Sequence, residues 1–301
     1  HYRRRSLRAR RGPGAVSPAA RGIAAGGAAG RTPAVFGTPV GDPADGGVPA
    51  SVAGPAVRRH MAMQIKIPSQ VRPLLQRIGQ IAEQQGLSAY AVGGCVRDWQ
   101  LGITTVKDLD VTVEGDGIAA ARAMAQALQG TVTAHPSFGT ATLRLPRGKG
   151  RVDLASCRKE IYKRPGAYPS VSPGTLEEDL FRRDFTVNAM ALAVNPGRFG
   201  TLIDPFQGAR DLQQKRLRIL HGRSFLDDPS RILRGIRFAQ RFGLSWDPGT
   251  ARAARAALSA GALQWLNAGR LRREMERMLQ EPDPRACLRE LGTFLNTAPS
   301  R

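Results

Sequence analysis

The 301 residues carry 45 Lys and Arg against 24 Asp and Glu, a formal charge of +21 that points to a polyanionic partner: nucleic acid, nucleotide or anionic lipid. No stretch approaches the roughly 18–20 uncharged apolar residues that a bilayer span needs, which disfavours the membrane. Three widely spaced cysteines, Cys95, Cys157 and Cys287, are too few and too scattered for a disulfide framework or a cysteine-built zinc site. The length suggests two domains. Residues 1–60 hold ten Arg, no Lys and two acids, and 31 of these 60 positions are Ala, Gly or Pro. Such a segment cannot bury enough surface to offset its ordering entropy, so residues 1–62 are expected to be disordered and outside the fold. Being Arg-rich and acid-poor, the segment fits an organelle transit peptide as well as it fits sequence upstream of a start at Met61 or Met63.

From Met63 the pattern becomes regular. Ser69 is expected to cap a helix running to Gln85, with Leu75, Ile78 and Ile81 on one face and Gly86 as its stop. Ser88–Val92 reads as a strand leading into Gly93-Gly94, and Val96–Leu101 as one or two helical turns. The stretch 108–113 alternates: Leu109, Val111 and Val113 face one way, Asp108, Asp110 and Thr112 the other. Ile118–Leu128 is an Ala-rich helix ended by Gly130. Thr140–Leu145 and Arg151–Ala155 bracket a hairpin turn, and the three prolines of Arg158–Pro173 suggest a mobile loop. Thr175 and Glu178 form a capping box for the next helix. A second hairpin joins Ala191–Val194 to Thr201–Ile203. Beyond Asp204-Pro205 only helices are expected. The fold class is therefore α+β, with a mixed α/β head over 63–205 and an all-α region over 206–301.

Four segments stand out chemically. Asp108 and Asp110 on one strand face put two carboxylates about 6.5–7 Å apart. Hard oxygen anions so placed suit Mg²⁺ together with substrate phosphates. Gly93 and Gly94, at a strand-to-helix junction, let backbone N–H groups approach phosphate, with Arg97 as a nearby cation. If residues 182–189 are helical, Asp184 and Asn188 share a face and suit a ribose hydroxyl pair, while Arg183 reaches phosphates. Asp227, Asp228 and Pro229 open a helix stopped by Gly243. Its buried side carries Ile232, Ile236, Ala239 and Phe242, and Arg231, Arg234, Arg237 and Arg241 spread over the opposite half. That Arg face is equally a solvating surface or a holder of triphosphate and base edge.

These segments, in this order from Ala89 to Leu279, resemble class II tRNA nucleotidyltransferases (CCA-adding enzymes) and the bacterial poly(A) polymerases: GGCVRD, DLD, RRDFTVNAMAL, IDPFQGARDL and DDPSRILRGIRFAQRFG. The resemblance implies a polymerase-beta-like nucleotidyltransferase head followed by a helical neck and the start of a truncated body. It implies that Asp108 and Asp110 bind a catalytic Mg²⁺, and that Gly93, Gly94, Arg97 and Arg183 hold the nucleotide phosphates. Asp184 and Asn188 would select ribose, and Asp228 and Arg231 would read cytosine or adenine in place of a template. Arg234 and Arg237 would also touch the nucleotide. The implied reaction is attack of a tRNA 3′ hydroxyl on the α-phosphate of CTP or ATP, adding CCA, with catalysis by positioning and metal electrostatics. The implied partners are the tRNA 3′ end, CTP and ATP, with no membrane. The implied compartment is the cytoplasm, or a plastid or mitochondrion if residues 1–60 are a transit peptide.

The chain departs from the family pattern at Asp227, one methylene shorter than the usual Glu, and at Gly269 in LNAGRLRREMERML, where an acid is usual. Asp153 lies on a strand where other members of the superfamily keep a third carboxylate. CC-adding, A-adding and poly(A)-adding variants share one active site, so motifs do not separate them. A non-catalytic RNA-binding fragment is the alternative from another class.

Overall fold

The computed structural model describes residues 65–105, 109–148 and 150–296; Asp108 and the segment 1–62 lie outside the described residues. The chain divides into units 1–56 and 57–301, and every described residue belongs to the second. Helix α1 (Arg72–Gln84) buries Leu75, Ile78, Ile81 and Ala82 on one face. It starts from Val71 with Pro73 in its first turn, so Ser69 does not cap it: the fixed φ of proline already suits a first turn. Strand β1 (Ser88–Val92) leads into α2 (Gly94–Gln100), and β2 (Leu109–Glu114) follows. The N-cap Asp116 opens α3 (Gly117–Leu128), which ends on Gln129 in the left-handed region at φ 55° rather than on Gly130.

Strands β3 (Thr131–His135), β4 (Thr140–Arg144) and β5 (Arg151–Ser156) form a meander. The expected loop at Arg158–Pro173 is instead a hairpin of β6 (Arg158–Ile161) and β7 (Ser170–Pro173), paired from Arg158↔Pro173 to Ile161↔Ser170. Its prolines sit in the turn and on an exposed edge strand, where a missing N–H costs no ladder bond. The capping box at Thr175 and Glu178 forms and opens α4 (Leu176–Phe181). The second expected hairpin appears as β8 (Ala191–Ala193) and β9 (Leu202–Ile203).

Seven strands make one sheet in the order β3-β4-β5-β2-β1-β8-β9. Within it only β2 and β5 run parallel. A parallel pair requires a long crossover, here supplied by α3 and the β3–β4 hairpin. This junction sets Asp110 opposite Asp153.

Beyond residue 205 come α5 (Gly208–Gln213), β10 (Arg216–Leu217), α6 (Ser224–Asp227), α7 (Ser230–Phe242), β11 (Ser245–Trp246), α8 (Pro248–Ser259), α9 (Ala268–Leu279) and α10 (Pro284–Asn296). The parallel pair β10–β11 corrects the all-helical expectation; two residues per strand are too few to leave a period in the sequence. One buried apolar cluster runs from Leu75 of α1 through Val111 and Phe185 to Phe294 of α10. Phe185 lies at its centre, with ring centroids 6.0 Å from Phe238, 6.3 Å from Trp246 and 6.4 Å from Phe225. Gly235 lets α7 join this stack, because a Cβ there would stand 2.5 Å from the Trp246 ring and 2.9 Å from that of Phe185.

Candidate active site

Asp110 is exposed on β2, while Leu109, Val111 and Val113 turn into the core. Its register partner across the parallel junction is Asp153 of β5. Asp153 accepts a hydrogen bond from Thr142 Oγ1 at 2.7 Å and pairs with Arg151 at 3.0 Å. Asp110 and Asp153 share a cavity of about 400 Å³ with Thr140, Thr142, Arg158, Arg182 and Arg183. A carboxylate pair beside three guanidinium groups suits a phosphate chain bound with a hard cation. The donors are oxygen atoms with no thiolate or imidazole among the cavity's lining residues, so they fit Mg²⁺.

The cations of this cavity are placed by acids that sequence patterning did not single out. Asp179 is fully buried on α4 and accepts from Arg182 at 2.7 Å and from Arg183 at 2.9 Å. Burial alone would raise its pKa, but Arg183 and Arg182 outweigh burial and hold it below the ordinary carboxylate value. Glu160 ties Arg158 and Arg182 in the same way, at 2.8 and 3.2 Å. Arg183 Nε is buried and has no hydrogen-bond partner among the described residues. Its Nη1 lies 2.6 Å from where a Cβ of Gly93 would stand. Gly93 itself has φ 72°, a conformation side chains rarely adopt, and so leaves room for Arg183 where β1 turns into α2. Gly93 and Arg183 therefore meet, and Arg183 brings a buried donor with no partner among the described residues to that spot.

The segment after Arg183 differs from its expected helix: Phe185 is extended and only Thr186–Asn188 form a 3₁₀ turn. Asp184 and Asn188 still meet, with Asn188 Nδ2 donating to Asp184 Oδ1 at 2.9 Å. The tight turn does what an i,i+4 helical pair would have done. Asp184 also accepts from the Phe185 amide at 2.8 Å and from Arg234 Nε at 2.8 Å. Burial would raise its pKa, but Arg234 and the Asn188 hydrogen bond bring it down to about 2.

The arginines of α7 do not form the open face that helical spacing suggests. Arg231 and Arg237 are buried. Arg231 donates to Ser224 Oγ at 2.6 Å and to the Arg182 carbonyl at 2.7 Å. Arg237 pairs with Glu281 at 2.9 Å and Glu274 at 3.2 Å, and Arg241 with Glu281 at 2.6 Å. A guanidinium withdrawn from water needs such partners, and they come from α9 and the residues after it, far along the chain. The helix begins at Ser230, and Asp228 Oδ1 accepts from the Ser230 amide at 3.0 Å and from its hydroxyl. Asp228 also pairs with Arg270 of α9 at 2.6 Å, so Asp228 and Arg231 are held by different partners. A second, larger cavity of about 880 Å³ borders Arg231, Asp227, His221, Tyr162 and Arg182; Arg182 lines both cavities. The smaller one holds Asp110 and Asp153, and the larger is bordered by Glu160, Glu177, Glu178 and Asp227.

A seven-stranded mixed sheet with acids at its parallel junction and arginines around them, followed by helices, is the architecture of a nucleotidyltransferase-type head. Residues 89–218 match the poly A polymerase head domain. The chain is 42% identical over 244 residues to the A-adding tRNA nucleotidyltransferase of Geobacter sulfurreducens, covering 80% of this chain and 28% of that protein. It is 40% identical over 213 residues to the CC-adding tRNA nucleotidyltransferase of Deinococcus radiodurans, covering 69% and 55%. The apo form II structure of a CCA-adding enzyme superposes with TM-score 0.72 at 40% identity, over 76% of this chain and 53% of that one. Residues 89–218 thus carry a poly A polymerase head domain, and the chain is similar to tRNA nucleotidyltransferases. It spans between about a quarter and about half of the length of these relatives. No described helix is long and apolar enough to cross a membrane.

Proposed function

We propose that this chain is the head and neck of an enzyme that transfers nucleotides from ATP or CTP to the 3′ end of tRNA. The observation that carries this reading is the Asp110–Asp153 register pair in one cavity with the unpartnered Nε of Arg183. Asp110, with Asp108 before it and Asp153 beside it, would hold Mg²⁺, which when bound supplies Lewis-acid polarisation of the reacting phosphate. Arg183, Arg182 and Arg158 bind the phosphate oxygens and stabilise the charge that develops on the departing pyrophosphate. Gly93 and Gly94 leave space for that chain. Asp184 and Asn188, presented with Arg234, select the ribose. Asp228 and Arg231 read the base, Asp228 exchanging its contact with Arg270 for the base edge. Arg237, tied to two glutamates, supports the neck.

Within this chemistry, the identity to the Geobacter relative favours A addition, and the Deinococcus relative favours CC addition as the second reading. Full CCA addition needs both nucleotides in one site. Primer extension with tRNA ending either at the discriminator base or after CC, sized to one nucleotide, separates them. One A on the CC-ended primer and nothing on the other establishes A addition. Two residues from CTP alone establish CC addition, three from both nucleotides CCA addition, and a long ladder from ATP poly(A) synthesis. Salt-sensitive tRNA binding without Mg²⁺-dependent incorporation would replace catalysis with RNA binding.

A further inference from the structure

We propose that Asp179 of α4 is a positioning residue for the nucleotide phosphates: its one buried carboxylate holds Arg182 and Arg183 side by side in the cavity of Asp110 and Asp153. The proposal rests on the phosphate reading of that cavity above. Asp179 is fully buried, and its two oxygens are divided between the two arginines. Oδ1 accepts from Arg182 Nε at 3.0 Å and Nη2 at 2.7 Å, and Oδ2 accepts from Arg183 Nη2 at 2.9 Å. The remaining Nη1 of Arg182 donates to Glu160 Oε1 at 3.2 Å, and Arg158 donates to the same oxygen from Nε at 3.1 Å and Nη2 at 2.8 Å. Arg158, Glu160, Arg182, Asp179 and Arg183 thus alternate in charge along one line of contacts. All three cations of that line border the cavity, and neither acid does.

An arginine on its long stem loses rotamer freedom when it binds phosphate, and an acid that already fixes it lowers that cost. Burial opposes the charge of Asp179, but Arg183 and Arg182 hold its pKa below the ordinary carboxylate value, so near neutral pH it only accepts. Helix α4 is itself anchored to the strand of Asp110. Glu114, further along β2, accepts from the Leu176 amide in the first turn of α4 at 3.0 Å and from the Tyr90 hydroxyl at 3.0 Å. One strand therefore carries the cavity's carboxylate near its start and fixes the helix of Asp179 at its end.

Charge and position give opposite signs on substitution. Asp179→Asn deletes a negative charge behind the cavity, and Coulomb attraction alone would then tighten a bound anion. Loss of a positioning acid instead frees both arginines and weakens it. The test measures dissociation constants of inorganic pyrophosphate, ATP and CTP with Mg²⁺ by calorimetry for the full chain and for Asp179→Asn, Asp179→Glu and Arg183→Lys. It adds kcat and KM for the nucleotide that primer extension shows to be incorporated, and a melting curve for each variant. Asp179→Asn is expected to weaken pyrophosphate and nucleotide about tenfold, the equivalent of one charge-assisted hydrogen bond, and to raise KM alike while kcat changes less. Asp179→Glu keeps the charge and displaces the oxygens by one methylene. It is expected to weaken the same ligands, and it carries the test if Asp179→Asn folds poorly. Unchanged or tighter pyrophosphate binding in folded Asp179 variants, with Arg183→Lys weakening it, overturns the role of Asp179 alone. If Arg183→Lys leaves pyrophosphate binding unchanged as well, the phosphate reading of the cavity falls and this proposal with it.

Discussion

Two groups of arginines in this molecule answer to opposite rules. Arg158, Arg182 and Arg183 line the carboxylate cavity, and one of them keeps a buried donor with no partner among the described residues. Arg231, Arg237 and Arg241 of α7 are matched by Ser224, Glu274 and Glu281. The excess of basic charge in the sequence therefore has two uses. Under the proposed function the arginines of the carboxylate cavity face the ligand, Arg183 with a buried donor left over, while those of α7 tie the helices together. Helical spacing does not make that distinction, because it says which side chains share a face and not what stands opposite.

Four experiments break or sharpen this contrast. Asp110→Ala should lower kcat for nucleotide incorporation on the order of a thousandfold, ~4 kcal/mol of transition-state stabilisation, with the melting temperature unchanged because Asp110 is exposed. Undiminished incorporation would remove the metal assignment. Arg237→Met should cost about 3 kcal/mol of folding stability in denaturant titrations, by leaving buried Glu274 and Glu281 short of a cation. A weakened nucleotide affinity with intact stability would instead move Arg237 into the ligand-facing group.

Acid titration of stability probes Asp184. Its folded pKa, about 2, lies below the ordinary 3.8, so its ion pair stabilises the protein above pH about 4 and is lost as pH falls toward 2. The loss should be about 2 kcal/mol, and Asp184→Asn should flatten the stability profile across that window. The smallest effect belongs to Arg183→Lys: a KM for the nucleotide raised about tenfold, with stability nearly constant, as one planar donor is withdrawn from phosphate. If stability fell with no change in KM, Arg183 would join the structural group.

Local patterning made the sheet legible. Strand β1 and the Thr175 capping box stand as their residues suggest, because alternation and capping are decided within a few neighbours. The hairpin over Arg158–Pro173 was hidden by its prolines, which an exposed edge tolerates and a central strand does not. The β10–β11 pair was too short to carry a period.

The sequence by itself determined the α+β order, the family resemblance and the meeting of Asp184 with Asn188, since each depends on residues close in the chain or on ordered motifs. Only the tertiary structure decided that Asp153 stands opposite Asp110 across a parallel junction. Only it decided that Arg97 is enclosed between Asp98, Asn188 and two aromatic rings, and that Arg237 finds its acids some forty residues on. Charge and spacing are properties of a segment. Desolvation and partnership are properties of what packs against it, and these determine whether a cation holds the fold or waits for a ligand.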